Sequence, residues 1–376
     1  MDNIQTNASA PFFRLHETSQ KLMLNRLIAL WIVLIPSLFI FGFRTVILAV
    51  MGVAGSVVTE VIWQFMSKKA QTVSDLSAVV TGLGCACLLP ASAPVWMPLV
   101  SAAFGTAAAK LAFGGLGRSP FNAAAVGTCF IFLIFCENIS LMNITAYSDY
   151  EREMWSRLPD KLFYYAPTDA SLPVIENFPF ENTPFFEALD VPSQLRAGMD
   201  PRLTFGELFV GGFPGALGAV CAVAIIVAAA WLVIRRGIAW RASLGFVAAL
   251  CVMSLFWRYE HIFLPMCPVY DLLACGSVFV AVFLIGDPLT APKMRTGQVL
   301  YGAAAGVLAI IFRRIGTVGC SDIFAVILIN VAANPIDRLV WYCRSHGISY
   351  TATKRRIAGR IREKFSKEDD DDVIAV

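Results

Sequence analysis

Residues 77–104 read SAVVTGLGCACLLPASAPVWMPLVSAAF, and residues 277–301, about 200 positions later, read SVFVAVFLIGDPLTAPKMRTGQVLY. In each stretch an apolar run ends in proline, two residues, alanine, proline (Pro90 to Pro94 and Pro288 to Pro292). An aromatic residue and a glycine follow, Phe104-Gly105 in one and Tyr301-Gly302 in the other. Two apolar segments resemble each other easily by chance. Register shared by prolines, small residues and the next apolar run is harder to obtain that way. Duplication within a hydrophobic chain marks a protein built from two related halves around a central site.

The 376 residues are 57% hydrophobic and only 15% charged, with a mean hydropathy of +0.66. That is more apolar surface than a soluble core can bury, and several runs approach the roughly 20 residues that cross a bilayer. Hydropathy gives about ten candidate spans, at 27–43, 45–66, 76–90, 95–113, 121–135, 214–234, 242–257, 272–285, 299–312 and 323–341. The expected fold is an all-α integral membrane protein with two five-helix repeats. An odd number of spans per half inverts the second repeat relative to the first.

The chain divides accordingly into an N-terminal segment (1–26), a first repeat (27–136), a loop (137–213), a second repeat (214–341) and a basic, then acidic tail (342–376). Alternating spans place Arg14, Lys21, Arg26, Lys68, Lys69, Arg118, Arg235, Arg236, Arg241, Lys293, Arg295 and the tail bases on one side, which makes both termini cytoplasmic. Arg44, Arg258, Arg313 and Arg314 fall on the other side, where they either snorkel or hold something anionic. The loop carries more acids than bases, as suits a non-cytoplasmic segment. The run SKEDDDD (366–372) reads as a solvated tail.

The duplicated runs 76–90 and 272–285 are shorter than a full crossing, and each stops near a proline. They are either broken half-length helices, whose ends can bind ions or cofactors, or tilted helices continued by a neighbour. Ionisable residues in or beside the spans are costly unless paired or functional. Glu60, Asp75, Lys110, Asp287, Asp322 and Asp337 qualify, as a cation path or as mutually paired charges.

Cysteine usage points to packing, since Cys85 and Cys87 form C-x-C without the clustering of an iron–sulfur or zinc site; a thiolate lent to a cluster shared with another subunit is the alternative. No metal site is expected. His16, His261 and His346 are dispersed and outside the spans, which argues against a haem with two intramembrane histidines. No phosphate-binding loop or hydrolase motif occurs, and nothing suggests a nucleic-acid partner.

The segments DLSAVVTGLGCACLLPASAP (75–94), KLAFGGLGRSPFNAAAVG (110–127), GGFPGALG (211–218), WLVIRRGIAWR (231–241), FLIGDPLTAP (283–292) and FAVILINVAANPIDR (324–338) occur in that order. Together they resemble the RnfD/NqrB family, which holds a membrane component of the Rnf ion-translocating oxidoreductase and its paralogue in the sodium-translocating NADH:quinone oxidoreductase. The wording of the motifs resembles the Rnf member more closely. The resemblance implies a translocase subunit in a bacterial or archaeal cytoplasmic membrane, with other Rnf-like subunits, the lipid bilayer and Na+ or H+ as partners. Electron transfer between ferredoxin and NAD would be coupled there to ion movement.

In that family an FMN is joined through its phosphate to threonine in an S-G-A-T sequence. Here the matching stretch is FENTPFFEAL (180–189), which keeps Thr183 and Pro184 but replaces the small residues with Phe180, Glu181 and Asn182. Thr183 is therefore the candidate for covalent FMN, on an approach that is bulky and acidic. The family's F-N-P is Phe121-Asn122-Ala123 here, and Ala219 stands where an acid usually follows the family's G-S-L-G segment. In the sodium-pump relative a GRN-x-x-N stretch is associated with riboflavin; this chain has Ser119 in place of the first Asn and keeps Asn122. Gly114, Gly115, Gly117, Ser119 and Asn122 are thus the candidate non-covalent flavin site, the alternative being glycines that only let helices pack closely. Other functions on the same architecture are a non-redox transporter or channel and a scaffold component.

Overall fold

The computed structural model describes residues 19–68, 75–91, 93–115, 117–135, 195, 205–211, 215–257, 266–315 and 321–346. Thr183, most of the loop and the acidic tail lie outside them. The described elements are helices: α1 (Ser19–Phe41), α2 (Arg44–Met66), α3 (Ser77–Leu88), α4 (Trp96–Gly105), α5 (Ala123–Ile134), α6 (Phe205–Val210), α7 (Ala222–Ile234), α8 (Trp240–Phe256), α9 (Met266–Ala274), α10 (Ser277–Ile285), α11 (Arg295–Ile315) and α12 (Ser321–Ser345). A wider π-helical stretch, Thr106–Leu111, continues α4.

Four of these, α1, α2, α11 and α12, are long and apolar enough to cross a membrane; a fifth crossing arises if α9 and α10 count as one bent span. Length thus supports four or five of the ten expected crossings. The others, including α3, α5, α7 and α8, are shorter apolar helices. Large apolar side chains such as Phe39, Phe65 and Phe256 are more than four-fifths exposed, as on a surface that meets lipid.

The second duplicated stretch is a broken helix, and the first is a short helix of 12 residues. The chain bends by 65° between α9 and α10, and both α3 and α10 are entered through a left-handed residue, Leu76 (φ 58°) and Gly276 (φ 76°). Glycine adopts that conformation at no steric cost, whereas leucine rarely does. At its far end α3 stops where Leu89 turns extended (ψ 151°) before Pro90. Backbone freed by the break is satisfied by protein: Leu217 and Gly218 N–H groups donate to the Leu89 and Cys87 carbonyls (2.9 and 2.7 Å), and Arg44 donates to the carbonyls of Ala91 and Ala93 (2.6 and 2.8 Å). Buried Arg44 therefore does not snorkel.

Helix packing repeats across the halves: α2 packs on α3 and α4, α4 on α5, and correspondingly α8 on α10 and α11, α11 on α12. α3 and α10 cross in opposite directions. Ser77, at the start of α3, and Asp287, just past the end of α10, line one pocket, while at the other end a methyl group on Gly218 would meet both Cys87 and the Phe279 ring at 2.7 Å. This is the inverted relation expected of an odd-membered repeat. Cys85 and Cys87 are fully buried in the central core, and no group of three His, Cys, Asp or Glu among the described residues could hold a metal.

Candidate functional site, a pocket between the two halves

At the end of the bundle where α1 begins, an open-mouthed pocket is walled by α1, α3, α10, the 117–124 turn and the 287–290 turn. Asn122 joins the halves there. Its Oδ1 accepts the Ala124 and Ala125 N–H groups (3.1 and 3.3 Å), capping α5, and its Nδ2 donates to Asp287 Oδ2 at 3.1 Å. Arg26 forms an ion pair with Asp287 (2.8 Å) and donates to the Phe283 carbonyl (2.9 Å). Two segments far apart in sequence are thus tied to α1 by one carboxylate.

Of the flavin-site candidates, Gly117, Ser119 and Asn122 line the pocket; Gly114 and Gly115 do not. All three glycines have φ between 82° and 102°, and nothing lies within 4 Å of where a side chain would start at Gly115 or Gly117. They shape a turn that L-residues resist, which corrects the alternative that they merely let helices approach. The Ser119 hydroxyl lies between the carbonyls of Ala109 and Phe121 (2.5 and 2.6 Å), pinning this turn to the end of α4.

The ion-path candidates separate as well. Lys110 lines the pocket and bonds Glu60 (2.7 Å) and Ser77 Oγ (2.6 Å), while Gln64 donates to the other Glu60 oxygen at 3.1 Å. Asp287 also lines it. Asp337 accepts the N–H groups of Lys293 and Met294 (2.8 and 3.1 Å), capping the start of α11. Asp75 is half-buried just before α3. Asp322 sits at the opposite end, paired with Arg313 at 2.6 Å.

That opposite end repeats the Ser77–Lys110–Glu60 arrangement. Ser277, in the position equivalent to Ser77, bonds Asp322 Oδ2 (2.6 Å) and accepts from Arg313 (2.7 Å). Arg313 also pairs with Asp271 (3.0 Å), which Arg314 engages at 2.7 Å. Both α3 and α10 therefore begin at a serine bonded by a buried cation that is itself paired with a carboxylate, and a negative charge there also offsets the positive end of the helix dipole. Sequence reasoning missed Arg26, Asp271, Ser77 and Ser277. The serines were findable, since both occupy the same register of the repeat.

Removing Lys110 alone leaves Glu60, 1% exposed, without its cation. Lys110→Met is expected to destabilise by about 3 kcal/mol, and Lys110→Met with Glu60→Leu to recover most of that loss. Thermal unfolding in detergent micelles checks this.

A helical membrane bundle with antiparallel short helices and a pocket between its halves is the architecture of repeat-built membrane proteins with a central site. Residues 6–343 match the NQR2, RnfD, RnfE family, and the chain belongs to that family. It is 28% identical over 337 residues to the D subunit of the Na(+)-translocating ferredoxin:NAD(+) oxidoreductase complex of Acetobacterium woodii, covering 89% of this chain and 92% of that one. It is 26% identical over 344 residues to the D subunit of the ion-translocating oxidoreductase complex of Escherichia coli K12, covering 88% and 95%. The corresponding protein of Shigella boydii serotype 18 is equally similar, 26% over 343 residues.

Proposed function

We propose that this chain is the D subunit of an Rnf-like complex in a bacterial or archaeal cytoplasmic membrane, where ferredoxin–NAD electron transfer is coupled to movement of Na+ or H+. The full-length match to proteins of that name supports the reading. So does the pocket between inverted halves, which is the single observation in this chain that carries it. Both termini are assigned to the cytoplasm, the 137–213 loop to the far side, and the pocket opens toward the cytoplasm.

The pocket suits a neutral flavin, riboflavin, better than a phosphate ester. Its cationic walls are committed, Arg26 to Asp287 (2.8 Å) and Lys110 to Glu60 (2.7 Å). Between them lie apolar surfaces from Leu30, Phe121 and Phe283 for a ring to rest against, and the hydroxyl of Thr81 for its edge. A flavin there would supply one- and two-electron transfer. Arg26 and Asn122 would fix the Asp287 carboxylate, the 117–122 turn would set the depth of the pocket, and the aromatic wall would exclude water. Lys110, Glu60 and Asp287 would form the charged edge of the ion path.

Acid extraction of the purified complex followed by chromatography tests this. Riboflavin stoichiometric with the chain, and lost in Asn122→Leu, is the expected result; full retention in the variant overturns the site. Intact-mass analysis of the denatured chain, expressed with its flavin-attaching enzyme, tests Thr183 separately. An FMN-mass adduct that disappears in Thr183→Ala adds a covalent carrier on the outer loop, and an unmodified mass removes that carrier while leaving the pocket's flavin standing. Uptake of a solute or ion by the isolated, flavin-free chain would instead favour a transporter.

A further inference from the structure

Behind the pocket wall sits a polar cluster that neither the ion pairs nor the flavin pocket uses. Thr290, Tyr301 and Asn330 are 7%, 0% and 2% exposed. The Tyr301 hydroxyl donates to Asn330 Oδ1. The Thr290 hydroxyl lies beside that phenol, and among the described residues neither it nor Asn330 Nδ2 has a partner at full hydrogen-bond geometry. Turning the amide over would only exchange the orphaned Nδ2 for an orphaned Oδ1. Buried polar atoms left unsatisfied are uncommon, and in a membrane bundle the neighbouring lipid offers no remedy.

The cluster's place is specific. Thr290 belongs to the turn closed by Asp287, whose carbonyl accepts the Thr290 and Ala291 N–H groups (3.3 and 2.9 Å). It also lines the pocket, so a small polar molecule could enter from there. Tyr301 on α11 and Asn330 on α12 carry the polar trail from that turn into the contact between two long helices. The groups are uncharged, and they offer a donor and a hydroxyl that accepts as well as donates. That set fits water, which needs a few polar partners of both kinds to remain buried.

We propose that Thr290, Tyr301 and Asn330 bind an ordered water, and that this hydrated triad is a step for a small cation passing Asp287. The inference rests on the translocation reading above. The cation is a proton carried on the water or an alkali ion coordinated by it, and the triad serves either through the same oxygens.

The test uses the assembled complex in proteoliposomes driven by reduced ferredoxin and NAD. Sodium uptake and internal pH are each measured per electron transferred. Asn330→Leu and Tyr301→Phe are expected to lower the ratio of ions to electrons by about tenfold. Tyr301→Phe, which loses one oxygen and no carbon volume, stands in if Asn330→Leu fails to assemble. The ion whose ratio falls, sodium or proton, identifies what passes. Unchanged ratios in both variants of a complex that pumps normally overturn the triad alone. A wild-type complex that moves neither ion overturns the translocation reading, and the triad's role with it.

Discussion

Arg313→Leu is expected to cost about 3–5 kcal/mol and to leave little folded protein in the membrane. Arg313 is 2% exposed, and its guanidinium bonds Asp322 (2.6 Å), Ser277 (2.7 Å), the Asp271 carboxylate (3.0 Å) and the Asp271 carbonyl (2.7 Å). Leucine would strand Asp322 beside Ser277 and leave Asp271 to Arg314. A stranded carboxylate in a low-dielectric interior costs more than the pair contributed, because both members were desolvated when the bundle formed. Arg313→Lys is expected to fall between the two, keeping the charge but losing the planar fork that reaches several acceptors at once. Asp322→Asn in the Arg313→Leu background should recover part of the loss, since the stranded charge is removed. Resistance to thermal aggregation and to limited proteolysis in detergent reads all three. Equal stability of Arg313→Leu and wild type would mean that this network is not what holds the α9–α10 break.

The second large effect is steric. A methyl group at Gly302 would lie 2.0 Å from the Ala242 carbonyl oxygen and 2.9 Å from the Phe246 nitrogen, both backbone atoms. Gly302→Ala is therefore expected to push α11 away from α8 at a cost of about 3 kcal/mol, and Gly302→Val to exceed it. The first half offers an independent check in Gly127, where the methyl group would meet the Ser101 carbonyl at 2.1 Å between α4 and α5. Both helix pairs rely on close backbone approach, as membrane bundles commonly do where apolar burial gives no driving force between helices. Gly115→Ala should behave differently. Space is open there, and the penalty comes only from its φ of 100°.

Much of the fold was legible because its determinants are local in sequence. Apolar run length marked the long helices α1, α2, α11 and α12, and the shared Pro-x-x-Ala-Pro register marked the halves. The candidate site was partly legible. Asn122 and Asp287 each stood out alone, one as a candidate flavin-site residue and the other as an ionisable residue beside a short span. That they bond each other across 165 residues was not legible. Gly114 and Gly115 were drawn into the site by their neighbours in sequence, and the turn points them elsewhere. Asp337 looked like an intramembrane acid and proves to cap α11.

Sequence alone determined that the chain is apolar, helical and duplicated, since composition, run length and repeat register are properties of the linear chain. It also picked out the charges that hydrocarbon would not tolerate unpaired. Only the tertiary structure decided which charge satisfies which. Arg26 with Asp287, Lys110 with Glu60, and Arg313 with Asp271 and Asp322 are contacts between separate helices. Their geometry depends on where α3 and α10 break and how they cross, which no local pattern encodes. A buried charge selects a partner by distance and desolvation in the packed bundle, and that selection is made only once both halves have come together.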